Sequence, residues 1–179
     1  TLLKNSSVLC IGSGGLGSPL LLYLAASGIG NLGIVDFDVV EDSNLQRQVI
    51  HSTAYVNQPK TYSAKKRILG INPSCKVDIF ETILTENNAI NIIKKFDIIC
   101  DCSDNFPTRY LINDACVILG KPIIYGSISG FEGQITVFNL TNKSPNYRDL
   151  IPSPPPSGAI PSCSEGGVMG VLPGIIGVI

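Results

Sequence analysis

Charge is scarce in this chain. Asp, Glu, Lys and Arg together make up 15% of 179 residues, and 13 basic against 14 acidic side chains leave a formal net charge of −1. No basic stripe stands out, which argues against a nucleic-acid partner. No apolar run of about 18 residues escapes interruption by polar residues or glycine, so no membrane span is expected. The N-terminal residues lack the basic, apolar and small-residue layout of a secretory leader. Six cysteines are present but no C-x-x-C pair, so a thiolate zinc site has no support. Cys10, Cys100, Cys102 and Cys116 lie in apolar context and read as small core residues of a reducing, cytoplasm-like compartment. A plastid stroma has the same redox character. What the chain does have is apolar residues, 44% of the total. Combined with so little charge, this predicts strands buried on both faces, as in a parallel sheet covered by helices. The length suffices for one domain with a substantial core, and residues 1–179 read as a single domain.

The chain is organised around Ser7 to Phe37. Val8–Ile11 is a short apolar run that enters Gly12-Ser13-Gly14-Gly15-Leu16-Gly17. A helix is predicted over Leu20–Ser27, and a second apolar run, Leu32–Val35, ends on Asp36. Gly12, Gly14 and Gly17 meet the pattern G-x-G-x-x-G, and the acid follows about 20 residues later. Glycines let the backbone turn sharply and approach a phosphate without Cβ clashes. The helix starting there offers unpaired N–H groups to an anion. Asp36 can accept hydrogen bonds from ribose hydroxyls. The strand–turn–helix–strand setting therefore points to a nucleotide.

The polar stretch after Asp36 lies past a strand's C-terminal end, where ligands bind in open α/β sheets. Arg47 is placed there to meet a phosphate with its planar fork. Pro59-Lys60 opens a helix predicted over Thr61–Leu69. A lysine in a first helical turn sits in a positive spot, which makes sense if an anion lies between. A strand near an edge is predicted over Lys76–Phe80, a short helix over Glu86–Lys95, and a buried strand over Phe96–Asp101. Asp104 or Asn105 can cap the next helix, which runs to about Leu119 with Gly120 as its stop. Asp104 has a sharper reading as a Mg²⁺ ligand beside nucleotide phosphates, because Mg²⁺ takes hard oxygen donors. A strand at Pro122–Tyr125, a flexible connector over Gly126–Gly133 and a strand at Gln134–Leu140 follow. The connector leaves no room for a crossover helix, so these two strands should be antiparallel. Pro152–Pro156 reads as an extended surface loop. Val168–Ile179 is apolar and ends without a cap, so the natural protein is expected to continue.

These residues resemble the MoeB/ThiF family, relatives of the ubiquitin-activating enzymes, in their molybdopterin-synthase adenylyltransferase branch. The resemblance rests on Gly12–Gly17, Asp36-Phe37-Asp38, Ser43–Gln48, Gln58-Pro59-Lys60, Asp101–Asn105, Glu132-Gly133-Gln134 and Cys163–Gly170, in order and in register. It implies an α/β, Rossmann-like, mostly parallel sheet with helices on both faces and antiparallel pairing toward the C-terminus. It implies ATP-dependent adenylation of the C-terminal glycine of a ubiquitin-like sulfur carrier ending in Gly-Gly, with ATP and Mg²⁺. By similarity, Gly15 lies against the nucleotide and Asp36 holds the ribose. Ser43, Asn44, Leu45, Gln46, Arg47 and Lys60 line the pocket, with Arg47 and Lys60 on the phosphates. Asp104 holds Mg²⁺ beside Asn105. A homodimer is also implied.

Three departures from the family stand out. Where its first zinc-binding C-x-x-C pair falls, this chain has Asn146-Tyr147-Arg148-Asp149, so zinc is not expected. The family's N-terminal arginine segment, which reaches the partner subunit's nucleotide, and its far C-terminal strands lie outside these residues. Cys163 matches a loop in which some relatives carry an acyl-accepting or sulfur-transferring cysteine, and only Glu165 is near it in sequence. Three other readings compete: an NAD-dependent Rossmann oxidoreductase, a binding module without activity, and a superfamily member acting on tRNA carbamoyl-adenosine.

Overall fold

The structure, a computed structural model, describes residues 1–156 and 167–179. Its centre is a six-stranded sheet of order β3-β2-β1-β4-β5-β6. The strands are β1 (Ser7–Ile11), β2 (Asn31–Val35), β3 (Lys76–Phe80), β4 (Ile98–Asp101), β5 (Ile123–Ser129) and β6 (Glu132–Phe138). Strands β1 to β5 pair in parallel, and β6 runs antiparallel to β5, as the short connection requires. The strand order reverses at β1: β2 and β3 step outward on one side, and the chain then crosses back to lay β4 on the other side of β1. That is the doubly wound plan, with its crevice above the C-terminal ends of β1 and β4.

Alternation along the strands sorts the core into two layers. Val8 and Cys10 face one side with Leu21, Ala25, Leu32, Ile34, Ala64 and Ile68. This layer is covered by α2 (Gly17–Ser27) and α3 (Lys60–Ile71). Leu9 and Ile11 face the other side with Phe96, Ile99, Ile112, Tyr125, Phe138 and Tyr147. There α4 (Ala89–Ile93), α5 (Phe106–Leu119) and the single turn α6 (Tyr147–Leu150) close the layer. A single turn α1 (Leu2–Asn5) precedes β1, and α7 (Leu172–Val178) packs beside α2 and β5. The central strands β1 and β2 are buried at four of five positions each, as the low charge anticipates.

The boundaries differ in instructive places. The connector expected over Gly126–Gly133 is mostly strand. Gly126 pairs with Ile135 and Ser127 with Gln134, and only Gly130 and Phe131 turn. Glycine and serine are poor strand formers alone, but seven cross-strand pairs override that preference. The helix expected over Glu86–Lys95 shrinks to Ala89–Ile93, because Asn88 uses its side chain in the turn before it, accepting from Thr85 N–H at 2.8 Å. Gly120 stops α5 in the left-handed region at φ 62°.

Candidate functional site

A cleft of about 220 Å³ opens above the C-terminal ends of β1, β2 and β4. Its floor is the glycine turn between β1 and α2. Gly12 has φ of 94°, and a Cβ there would lie 2.7 Å from the carbonyl oxygen of Cys102. Only glycine fits this place, which brings the β1 and β4 tips together. Helix α2 starts directly after the turn with no side-chain cap; the Ser18 N–H is taken by the Gly14 carbonyl at 2.9 Å, so the donors open to an anion are those of the turn before it.

The wall beyond β2 carries acid and base in alternation. Asp36 accepts from Ser13 N–H at 2.8 Å and Ser13 Oγ–H at 2.7 Å on one oxygen, and from Asp38 N–H at 3.0 Å on the other. Lys60, at the start of α3, is buried and pairs with Asp38 at 2.9 Å. Asp38 is half exposed, so its carboxylate can be rehydrated if another anion takes its place beside the buried Lys60 ammonium. Arg47 donates to the carbonyl of Ser43 at 3.2 Å and lines the same cleft.

The wall beyond β4 is drier. Asp101 accepts from Ser103 N–H at 3.0 Å and Ser103 Oγ–H at 2.6 Å. Burial pushes its carboxyl above the usual carboxylate range, although Ser103 and Arg109 pull it back. Asp104 lines the cleft with an exposed carboxylate. The cap of α5 is Asn105, which accepts from Thr108 N–H at 3.0 Å, so Asp104 is free of that task. Among the described residues, its side chain receives only Asn105 Nδ2–H at 3.3 Å. Among the described residues, no group of three or more His, Cys, Asp or Glu gathers in one place. An exposed carboxylate at the edge of this cleft has the hard oxygen donors that suit Mg²⁺, which takes one or two carboxylates and completes its shell with ligand oxygens and water.

Of the residues singled out in the sequence, Gly15, Asp36, Arg47, Lys60, Asp104 and Asn105 line this cleft. Ser43 and Asn44 lie in the short helical turn Asp42–Asn44, and Leu45 and Gln46 follow it; these four do not line the cleft. Asn44 is buried and its side-chain oxygen accepts from Glu41 N–H at 3.4 Å. Cys163 lies outside the described residues. The five described cysteines are unpaired. Burial raises the Cys116 thiol to about 12 and also raises those of Cys100 and Cys75.

Three polar residues at or behind the cleft are given no site role from the sequence. Arg109 is buried and lines the cleft, donating to the Ser103 carbonyl at 3.2 Å and to the Tyr125 hydroxyl at 3.3 Å. Gln48 is buried in the wall, and its side-chain oxygen has no hydrogen-bond partner among the described residues. His51 is buried behind the glycine turn. Arg109 was detectable in principle, since it stands one turn into a helix that starts at a strand tip. No local signal marks His51, whose contact to Ser13 spans 38 positions.

The fold and the glycine-floored crevice define a doubly wound α/β protein of the Rossmann type. The chain belongs to the ThiF family, whose model matches residues 1–179. It is 56% identical over 173 residues to a probable adenylyltransferase/sulfurtransferase, MoeZ, of Mycobacterium tuberculosis, an alignment covering 95% of this chain and 44% of the relative. It is 50% identical over 179 residues to a sulfur carrier protein adenylyltransferase of Thermus thermophilus, covering 98% of this chain and 66% of the relative. The chain therefore spans less than two thirds of these relatives. Among solved structures it resembles an Escherichia coli tRNA N6-threonylcarbamoyladenosine dehydratase in complex with ATP, with a TM-score of 0.69 and 26% identity, over 72% of this chain and 54% of that one.

Proposed function

We propose that this chain is the ATP-binding part of an adenylyltransferase that activates the C-terminal glycine of a ubiquitin-like sulfur carrier ending in Gly-Gly. One observation carries the reading: Arg47, Lys60 and Asp104 converge on the single cleft that the glycine turn floors. A dehydrogenase would need the turn and Asp36 but would leave those three without a task. The two relatives of high identity are named as adenylyltransferases, and both names favour sulfur chemistry over tRNA.

In this reading the triphosphate lies over the Gly12–Gly17 turn and the start of α2. Asp36 receives the ribose hydroxyls, and Gly15 lies against the nucleotide. The carrier's carboxylate attacks the α-phosphate, the bond to the β-phosphate oxygen breaks, and pyrophosphate leaves with that electron pair. An acyl-adenylate remains. Two anions must meet, so the protein's contribution is placement and positive charge rather than covalent chemistry. Lys60 swings from Asp38 toward the phosphates, and Arg47 meets the charge growing on pyrophosphate. Asp104, with Asn105 beside it, would hold Mg²⁺, which supplies further neutralisation of the phosphate oxygens. Ser43 to Gln46 support Arg47 at the pocket's rim. Cys163 is the candidate acceptor for acyl or sulfur transfer. Zinc is not part of the proposal. Asn146–Asp149 instead form a capped turn, in which Asn146 accepts from Arg148 N–H at 2.9 Å and Arg148 pairs with Asp114 at 2.6 Å. Family likeness supports a homodimer. No described helix is long and apolar enough to cross a membrane. The unpaired, apolar setting of the described cysteines supports a reducing compartment, the cytoplasm or, in a plastid, the stroma.

The test is carrier-dependent ATP–pyrophosphate exchange with candidate carriers ending in Gly-Gly. Exchange that requires the carrier, ATP and Mg²⁺ supports the proposal. ATP binding without exchange, with every carrier tried, would refute it in favour of a binding module.

A further inference from the structure

His51 is the only histidine of these 179 residues, and nothing in the adenylation chemistry uses it. It does not line the cleft, yet it touches three of the segments that do: the glycine turn, the start of α3 and the stretch around Arg47. Its Nε2 lies 3.2 Å from the carbonyl oxygen of Ser13 in the glycine turn. Its Nδ1 lies 3.0 Å from the Ser63 hydroxyl, one turn after Lys60 on α3. Its backbone N–H donates to the carbonyl of Gln48 at 3.1 Å, next to Arg47.

The partners fix the imidazole's state. A carbonyl oxygen only accepts, so Nε2 carries the proton, and Nδ1 then accepts from the Ser63 hydroxyl. Ser13 is thereby held on every polar atom. Its N–H and hydroxyl bond Asp36, and its carbonyl receives both His51 and the Ser18 hydroxyl at 3.2 Å. We propose that His51 is a positioning residue for the nucleotide site: a neutral, Nε2-protonated strut that sets the distance from the glycine turn to Lys60 and Arg47. The inference rests on the adenylation reading for its catalytic consequence, but the strut itself is a property of the unliganded protein. Burial, with the nearby Lys60 ammonium, disfavours protonation of His51 more than the Ser13 carbonyl and Asp36 favour it, so the ring stays neutral near neutral pH.

Two arms test this. In the first, the protein carries ¹⁵N-histidine, and the His51 signal is assigned by its absence from His51→Gln. An Nε2–H tautomer that keeps one state from pH 8 to pH 5.5 is expected. An Nδ1–H tautomer, or titration near pH 6.5, overturns the strut. In the second, His51→Gln and His51→Leu are compared in exchange per folded molecule, with the folded fraction measured separately. A glutamine amide can donate to Ser13 and accept from Ser63, whereas leucine can do neither. Glutamine should stay within about threefold of the original, and leucine should lose roughly 10- to 100-fold, mostly in kcat, as misplacement of reacting groups does. Equal turnover per folded molecule in both variants and the original would reduce His51 to a core residue. If the unaltered protein itself shows no exchange, the adenylation reading falls. The strut is then judged on the first arm and on the Kd for ATP, which leucine should raise and glutamine should not.

Discussion

The two walls of the cleft use one device to different ends. At the tip of β2, Asp36 grips the N–H and hydroxyl of Ser13; at the tip of β4, Asp101 grips the N–H and hydroxyl of Ser103. The first grip spans 23 positions and ties a separate loop to the strand, and the second spans two and stiffens its own turn. Asp36 lines the cleft, with Asp38 and Lys60 beside it. Asp101 is buried outright, with Ser103 as its hydrogen-bond partner and the Arg109 charge a weaker influence nearby. A carboxylate on the cleft wall can meet a ligand; one behind the wall can only shape it.

The sharpest way to break the comparison is to strip the β2 wall of its buried cation. Lys60→Ala should cut carrier-dependent exchange by about 10²–10³, the usual loss when one preorganised charge is removed. Its melting temperature should change little, since Asp38 is half exposed and can be rehydrated. Arg109→Ala on the opposite wall should lose folding stability first.

Acid titration separates the walls by sign. His51, behind the β2 wall, is lowered to about 4 from its ordinary 6.5, chiefly by burial. The folded state thus resists its protonation. The associated stability is complete above about pH 6.5 and is lost as pH falls toward 4, by at most roughly 3 kcal/mol. Asp101 behaves oppositely. Its raised carboxyl favours the folded state below the ordinary carboxylate value, and that contribution is lost as pH rises through the raised one. Denaturant midpoints across pH 4–7 for His51→Gln and Asp101→Asn, each against the original, should show these opposed slopes.

Asp36→Ala should cost about 1–3 kcal/mol, because it strands the buried N–H of Ser13, and should raise the KM for ATP. Asp101→Asn should cost less, about 1 kcal/mol, since an amide oxygen still accepts from Ser103. Urea titration with ATP kinetics checks both. The smallest effect belongs to Arg148→Ala, remote from both walls, which should leave exchange unaltered and shift the melting temperature least.

Much of this was legible in the sequence because it is local. The glycine turn, the acid after β2, the edge character of Lys76–Phe80, the antiparallel final pair and the Gly120 stop each follow from residues within a few positions. What was missed depends on contacts between distant segments. Gly126 and Ser127 become strand because β6 pairs with them, not because they prefer it. Asp104 and Asn105 could not be told apart as caps until the Thr108 N–H chose Asn105. His51 gains its meaning only when Ser13 and Ser63 close around it.

The most direct measurement is a crystal structure of the protein with ATP and Mg²⁺. The account requires the triphosphate over the Gly12 turn, with Lys60 Nζ released from Asp38 onto a phosphate oxygen and the Arg47 guanidinium beside it. Phosphates elsewhere, with the 2.9 Å Lys60–Asp38 pair intact, would contradict it.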